Sequence, residues 1–149
     1  MRDRDRLATM TRLAAVQRAK RVGAEAALAD ARRVEAEAET AQADAEARLA
    51  DAHGQWLDHM EAGRFSPEFA GLLSNAVVGR AGEVDQAEAQ TATATDARAR
   101  NQSEWQILEA RVRAGEDTVR DLRRKVARRR EESRIAERAD RTTLAWSRT

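Results

Sequence analysis

The sequence predicts an all-α fold, an elongated antiparallel two-helix coiled-coil hairpin, from three observations. Its 149 residues are 36% charged and 3% aromatic with a single proline, a composition rich in helix formers and poor in the β-branched and aromatic residues that build sheets. Long stretches carry apolar residues at alternating spacings of three and four, the pattern of a coiled-coil seam. One strong break, Ala62-Gly63-Arg64-Phe65-Ser66-Pro67-Glu68-Phe69, separates those stretches. So little apolar bulk argues against a compact domain with a thick core.

Helix one is predicted over about 5–62. Its seam reads Leu7, Met10, Leu13, Val16, then Ala24, Ala27, Ala31, Val34, Ala38, Ala41, Ala45, and continues through Leu49, Ala52, Trp56 and Met60 with slightly longer steps. Longer steps relax the supercoil toward a straight helix. The turn falls at about 63–66: Gly63 suits the position just past a helix end, Ser66 caps the next helix, Pro67 fits its first turn and Glu68 favours the positive end of its dipole. Helix two is predicted over about 67–144, with a softer break at about 79–82 around Gly79 and Gly82. From Val84 a heptad runs through Thr91, Arg98, Trp105, Val112, Val119 and Val126, with Ala87, Ala94, Asn101, Leu108, Gly115 and Leu122 between them. A polar residue in mid-seam, as at Arg98 and Asn101, is a way to fix register at some cost in stability, and water access through a thin two-helix coil accounts for it as well.

A connection this short returns the chain antiparallel to itself, so residues pair when their numbers sum to about 130. Helix one then ends opposite Lys125, and helix two projects beyond it. A helix of roughly 57 residues spans about 85 Å, so residues 1–149 read as a single rod. Its alanine seam buries little area, which makes the isolated hairpin marginally stable.

Lys and Arg number 27 against 26 Asp and Glu. Opposite charges read as locally mixed, and a near-neutral total removes the usual electrostatic reason to propose nucleic acid as the main partner. There is no cysteine, so disulfides and thiolate chemistry are excluded. No apolar h-region follows the N-terminal charges and no stretch reaches the length of a membrane span, which places the expected location in the cytoplasm.

Catalysis is not expected. The two histidines, His53 and His59, are six residues apart and have no zinc-like partner set. Carboxylates are abundant, but a thin rod offers no pocket that would part their pKa values. P-loop, GxGxxG and GxSxG motifs are absent. The chain is therefore read as a non-enzyme with no cofactor and no metal site.

Two features point to protein partners. Around the turn lie Leu49, Trp56, Met60, Phe65, Phe69, Leu72, Leu73, Val77 and Val78. Either these remain partly exposed as an interaction patch, or Val78 to Gly82 bends back to cover them. At the other end the run Arg120, Arg123, Arg124, Lys125, Arg128, Arg129, Arg130 is the densest charge. A solvated face balanced by Asp121, Glu131 and Glu132 accounts for it, as does a docking surface for an acidic protein. Trp146 is a lone aromatic at an uncovered end, where disorder is the commoner fate and anchoring a partner the alternative.

This organisation resembles the FliJ/YscO family of flagellar and type III secretion export proteins. The resemblance is carried by Leu49-x6-Trp56, the short turn, Phe69-x3-Leu73-x2-Ala76 and the charged segment ending Arg128-Arg129-Arg130-Glu131-Glu132. It implies an antiparallel coil similar to the central shaft of rotary ATPases, and a cytoplasmic protein peripheral to the inner-membrane export apparatus. By resemblance, the chain would couple an export ATPase hexamer to an export gate protein, with export chaperones as further partners. Leu49, Trp56, Phe69, Leu73 and Ala76 would face the gate. Arg123, Arg124, Lys125, Arg128, Arg129 and Arg130 would face the ATPase ring. A monomer is expected. Two other readings stay open: a self-associating coiled-coil scaffold, and a helical-hairpin nucleic-acid or ribosome binder.

Overall fold

A computed structural model describes residues 2–146, apart from the side chains of 144 and 145. Two α-helices form a hairpin: α1 (Arg2–Glu61) and α2 (Pro67–Trp146). α2 is uninterrupted, so the softer break expected at about 79–82 does not form. Gly79 and Gly82 lie inside the helix with open space around them. Glycine costs a helix about 1 kcal/mol relative to alanine, too little to interrupt one held by a seam on both sides.

The chain divides into two compact units, unit one of Met1–Ala24 with Trp105–Thr149 and unit two of Glu25–Glu104. Within each, α1 packs antiparallel to α2. In unit one Arg21 reaches Glu109, Arg18 reaches Glu116, and Asp3 is paired with Arg129. In unit two Glu35 meets Arg98 and Arg48 meets Glu83. The residue numbers in every such pair sum to about 130, the register expected for two helices of equal rise.

Burial follows one heptad from end to end of each helix. In α2 the less exposed positions include Ala70, Leu73, Val77, Arg80 and then the whole series from Val84 to Val126 expected from the sequence. In α1 they include Leu7, Met10, Ala14, Gln17, Arg21, Ala24, Leu28, Ala31, Glu35, Ala38, Gln42, Ala45, Leu49, Ala52, Trp56 and His59, and in both helices a few flanking residues are also half-buried. Nine of these sixteen α1 residues are the ones expected; Arg21 fills a position the sequence reading left unassigned, and six others are displaced by one residue. Ala14, Gln17, Leu28, Glu35, Gln42 and His59 occupy seam positions assigned to Leu13, Val16, Ala27, Val34, Ala41 and Met60. Leu28 is only 5% exposed, whereas Val34 is 46% exposed. Because His59 completes the strict alternation of three and four, the seam does not relax toward the turn.

The two units differ in what fills the seam. Unit one buries Leu108, Val112, Val119, Leu122 and Val126, branched side chains that each stabilise by roughly 1.5–3 kcal/mol when fully buried. Unit two buries Leu28, Ala45, Ala87 and Ala94, and so gains far less per layer. In unit one close approach is possible where Gly115 meets Ala14: a Cβ built on Gly115 would lie 3.8 Å from that of Ala14. Two polar groups of the unit-one seam are poorly served: Gln17 Oε1 and the indole Nε1 of Trp105 are buried without a hydrogen-bond partner. A buried unsatisfied donor costs about 1–3 kcal/mol.

Two stability outcomes follow. Leu28→Ala lowers the free energy of unfolding by about 2–3 kcal/mol, and Val34→Ala changes it by no more than about 0.5 kcal/mol; urea melts of the two variants report which residue lies in the seam. Trp105→Phe keeps the aromatic bulk and removes the orphan N–H, so it is neutral or raises the melting temperature, while Trp105→Ala lowers it.

Candidate functional site

The turn that closes unit two is built by local chemistry. Ala62 N–H still donates to Asp58 O at 3.0 Å, the last helical bond of α1. Ser66 then serves as the N-cap of α2: its carbonyl accepts from Ala70 N–H at 2.9 Å and its Oγ from Phe69 N–H at 3.4 Å. Pro67 follows at the first helical position, where its missing N–H costs nothing. Gly63 does not adopt the left-handed conformation common after a helix end. A side-chain ring closes the turn. His59 Nε2 lies 3.2 Å from the Ser66 carbonyl oxygen and 3.3 Å from its amide nitrogen, so the tautomer decides whether the ring donates to the first or accepts from the second. The same imidazole meets the edge of Phe69 at a centroid distance of 4.8 Å and lies 5.8 Å from Phe65.

This arrangement divides the five residues expected on a gate-facing surface. Leu49, Trp56 and Leu73 are half-buried members of the seam, whereas Phe69 and Ala76 are exposed. Trp56 also stacks on His53. The large apolar side chains that do reach solvent near the turn are Leu57, Met60, Phe65, Phe69, Leu72 and Val78, with Phe65 at 54% and Leu72 at 66% exposure. The helix does not fold back over them, so the self-covered mini-core does not form. Leu57 and the ring contacts of His59 escaped the sequence reading, because neither follows from spacing in one helix.

In unit one the basic residues Arg123, Arg124, Lys125, Arg128, Arg129 and Arg130 are all exposed. They do not all lie beyond α1. Arg123 and Arg124 line a groove with Thr11, Ala14 and Arg18, and Arg129 is paired with Asp3. Among the described residues Val126 is the last buried one, and residues 127–143 are exposed. Trp146 is 82% exposed.

Charge is sorted between the units. Unit one contains 20 Lys and Arg against 10 Asp and Glu, and unit two contains 7 against 16. The near-neutral total therefore hides a basic unit and an acidic one, and the local mixing read from the sequence holds only along short stretches. Within the seam, charge is paired. Arg98 Nε donates to Glu35 Oε2 at 3.0 Å and its Nη1 to Gln102 Oε1 at 3.1 Å. Arg21 Nη1 donates to Glu109 Oε2 at 3.0 Å. These arginines hold the Glu35 and Glu109 carboxyls below the ordinary carboxylate range, and Arg80 does the same for Glu83.

Among the described residues, no helix is long and apolar enough to cross a membrane. No family model, curated protein or solved structure matches the chain.

The paired glutamates set a pH dependence. Their lowered values in the folded chain mean that the stabilisation is fully present above the ordinary glutamate value of 4.5 and is lost as pH falls through the lowered values. Thermal melts between pH 7 and pH 3 therefore show an acid limb that Glu35→Gln makes shallower. At pH 7, Glu35→Arg alone lowers the melting temperature by setting like charges together, and Glu35→Arg with Arg98→Glu recovers most of the loss.

Proposed function

We propose that this chain is a coupling protein of a bacterial flagellar or type III export apparatus, binding the export ATPase ring, the membrane export gate and export chaperones through protein surfaces and without chemistry of its own. The supporting observation is the cluster of exposed large apolar side chains at the turn, Leu57, Met60, Phe65, Phe69 and Leu72. The rest of unit two exposes few large apolar groups, and such a rigidly mounted cluster favours a protein contact. The His59 ring and the Ser66 cap hold Phe65 and Phe69 in place, which lowers the ordering cost of docking. The sequence resemblance supplies the identity of the partners, with Phe69 and Ala76 as the members of its gate-facing set that reach solvent. The exposed Arg123, Arg124, Lys125, Arg128 and Arg130 supply the ring-facing surface. The protein acts in the cytoplasm, peripheral to the inner membrane.

Purified export ATPase and the cytoplasmic part of the gate, taken from the same genome, test this reading by pull-down and calorimetry. Both bind the chain. The triple variant Phe65→Ser, Phe69→Ser, Leu72→Ser retains its helix content and binds the gate at least about tenfold more weakly, a loss of about 1.4 kcal/mol. Binding to neither component removes the export assignment.

A further inference from the structure

The separation of charge has a use that the export reading does not require. Unit one has twice as many basic as acidic residues, 20 against 10, and unit two more than twice as many acidic as basic, 16 against 7. Many of these charges are unspent within the fold. Arg123, Arg124 and Arg130 are exposed and make no ion pair, and so are Glu39, Glu46 and Glu88. Only Glu46 has a polar contact, from Gln42 Nε2 at 2.9 Å.

We propose that unit one of one copy docks on unit two of a second copy, through the flanks of the two hairpins and not through their seams. The complementary surface is supplied by the chain itself in nearly matching amount, which leaves the pair close to neutral. The spacing matches as well. Glu39 and Glu46 are one heptad apart at the position that follows the second seam residue, and Glu88 holds the same position in α2. Arg123 and Arg130 occupy the corresponding position in unit one, also one heptad apart. Charges on both surfaces therefore repeat at about 10.5 Å along their helices, and successive cations meet successive anions. A nucleic acid would satisfy unit one alone and would be repelled by unit two, so a second copy is the better-matched occupant. The contact is between unlike surfaces: it closes into a dimer if its symmetry permits and extends into a chain if not.

Sedimentation across a salt series tests the proposal on the full chain. At about 0.03 M salt, where charges act over more than 10 Å, the species is larger than the 16.6 kDa chain. By about 0.3 M the association constant has fallen at least about tenfold. Arg123→Glu with Arg124→Glu and Arg130→Glu abolishes association, as does Glu39→Lys with Glu46→Lys and Glu88→Lys. An equimolar mixture of the two variants, each checked for helix content and melting temperature, associates again. A wild-type chain that remains at 16.6 kDa at low salt overturns the proposal, including when it binds a DNA duplex instead. Association indifferent to salt or to both charge reversals also overturns it, in favour of the apolar turn or exchanged helices. So does failure of the two folded variants to associate when mixed.

Discussion

A seam of two helices has no second layer behind it, and where alanine faces alanine it fits as well one heptad away. Register must then come from residues that tolerate only one partner. Here those are the polar seam members. Arg98 is satisfied by Glu35 and Gln102, and Arg21 by Glu109. A slip by one heptad would set Arg98 against Leu28 or Gln42 and leave Glu35 facing Trp105 or Thr91, a half-buried carboxylate without its cation. Desolvated charges are costly when unpaired and near neutral when paired, so these contacts add little to stability while disfavouring the wrong alignments. The turn acts in the same sense, because the Ser66 cap and the His59 ring fix where α2 begins.

The two units use this register differently. Unit one adds branched side chains at nearly every layer between Leu108 and Val126, so its alignment is also enforced by volume. Apart from Leu28, unit two depends on small residues and paired polar groups through most of its length and gathers its larger apolar groups near the turn. Its apolar bulk is concentrated where a two-helix hairpin is least able to cover it. That distribution keeps Phe65, Phe69 and Leu72 at the surface, and it makes the turn the place where unit two has most to gain from a partner.

How much of this was legible in the sequence depends on what occupied the seam. In α2 valines recur at one position from Val112 to Val126, and the pattern could be read without error. In α1 the seam holds Gln17, Arg21, Glu35 and Gln42, while the apolar Val16, Val34 and Ala41 sit one residue away on the flank. An apolar count follows Val34, whereas the helix follows Leu28, and the two readings differ by one position in the heptads of Ala14, Leu28, Glu35 and Gln42 but agree at Leu49 and Trp56. The cap at Ser66 and Pro67 was legible because its chemistry is local. The break at Gly79 to Gly82 was not, since glycine weakens a helix without forbidding it. Sorting of charge escaped because residues 2–24 and 105–146 join one unit only after the chain has turned back, and a total over the whole sequence cancels it.

The placement of the tryptophans gives the molecule an optical property of its own. There are three and no tyrosine, so its ultraviolet emission comes from indole alone. Trp56 lies in unit two against His53, Trp105 is lodged in the unit-one seam with its N–H buried, and Trp146 is largely in water. Each indole thus has a different surrounding polarity, and emission wavelength distinguishes the far end of α2 from the two packed regions. Replacing all but one of them with phenylalanine leaves a chromophore that watches a single region, without any dye attached.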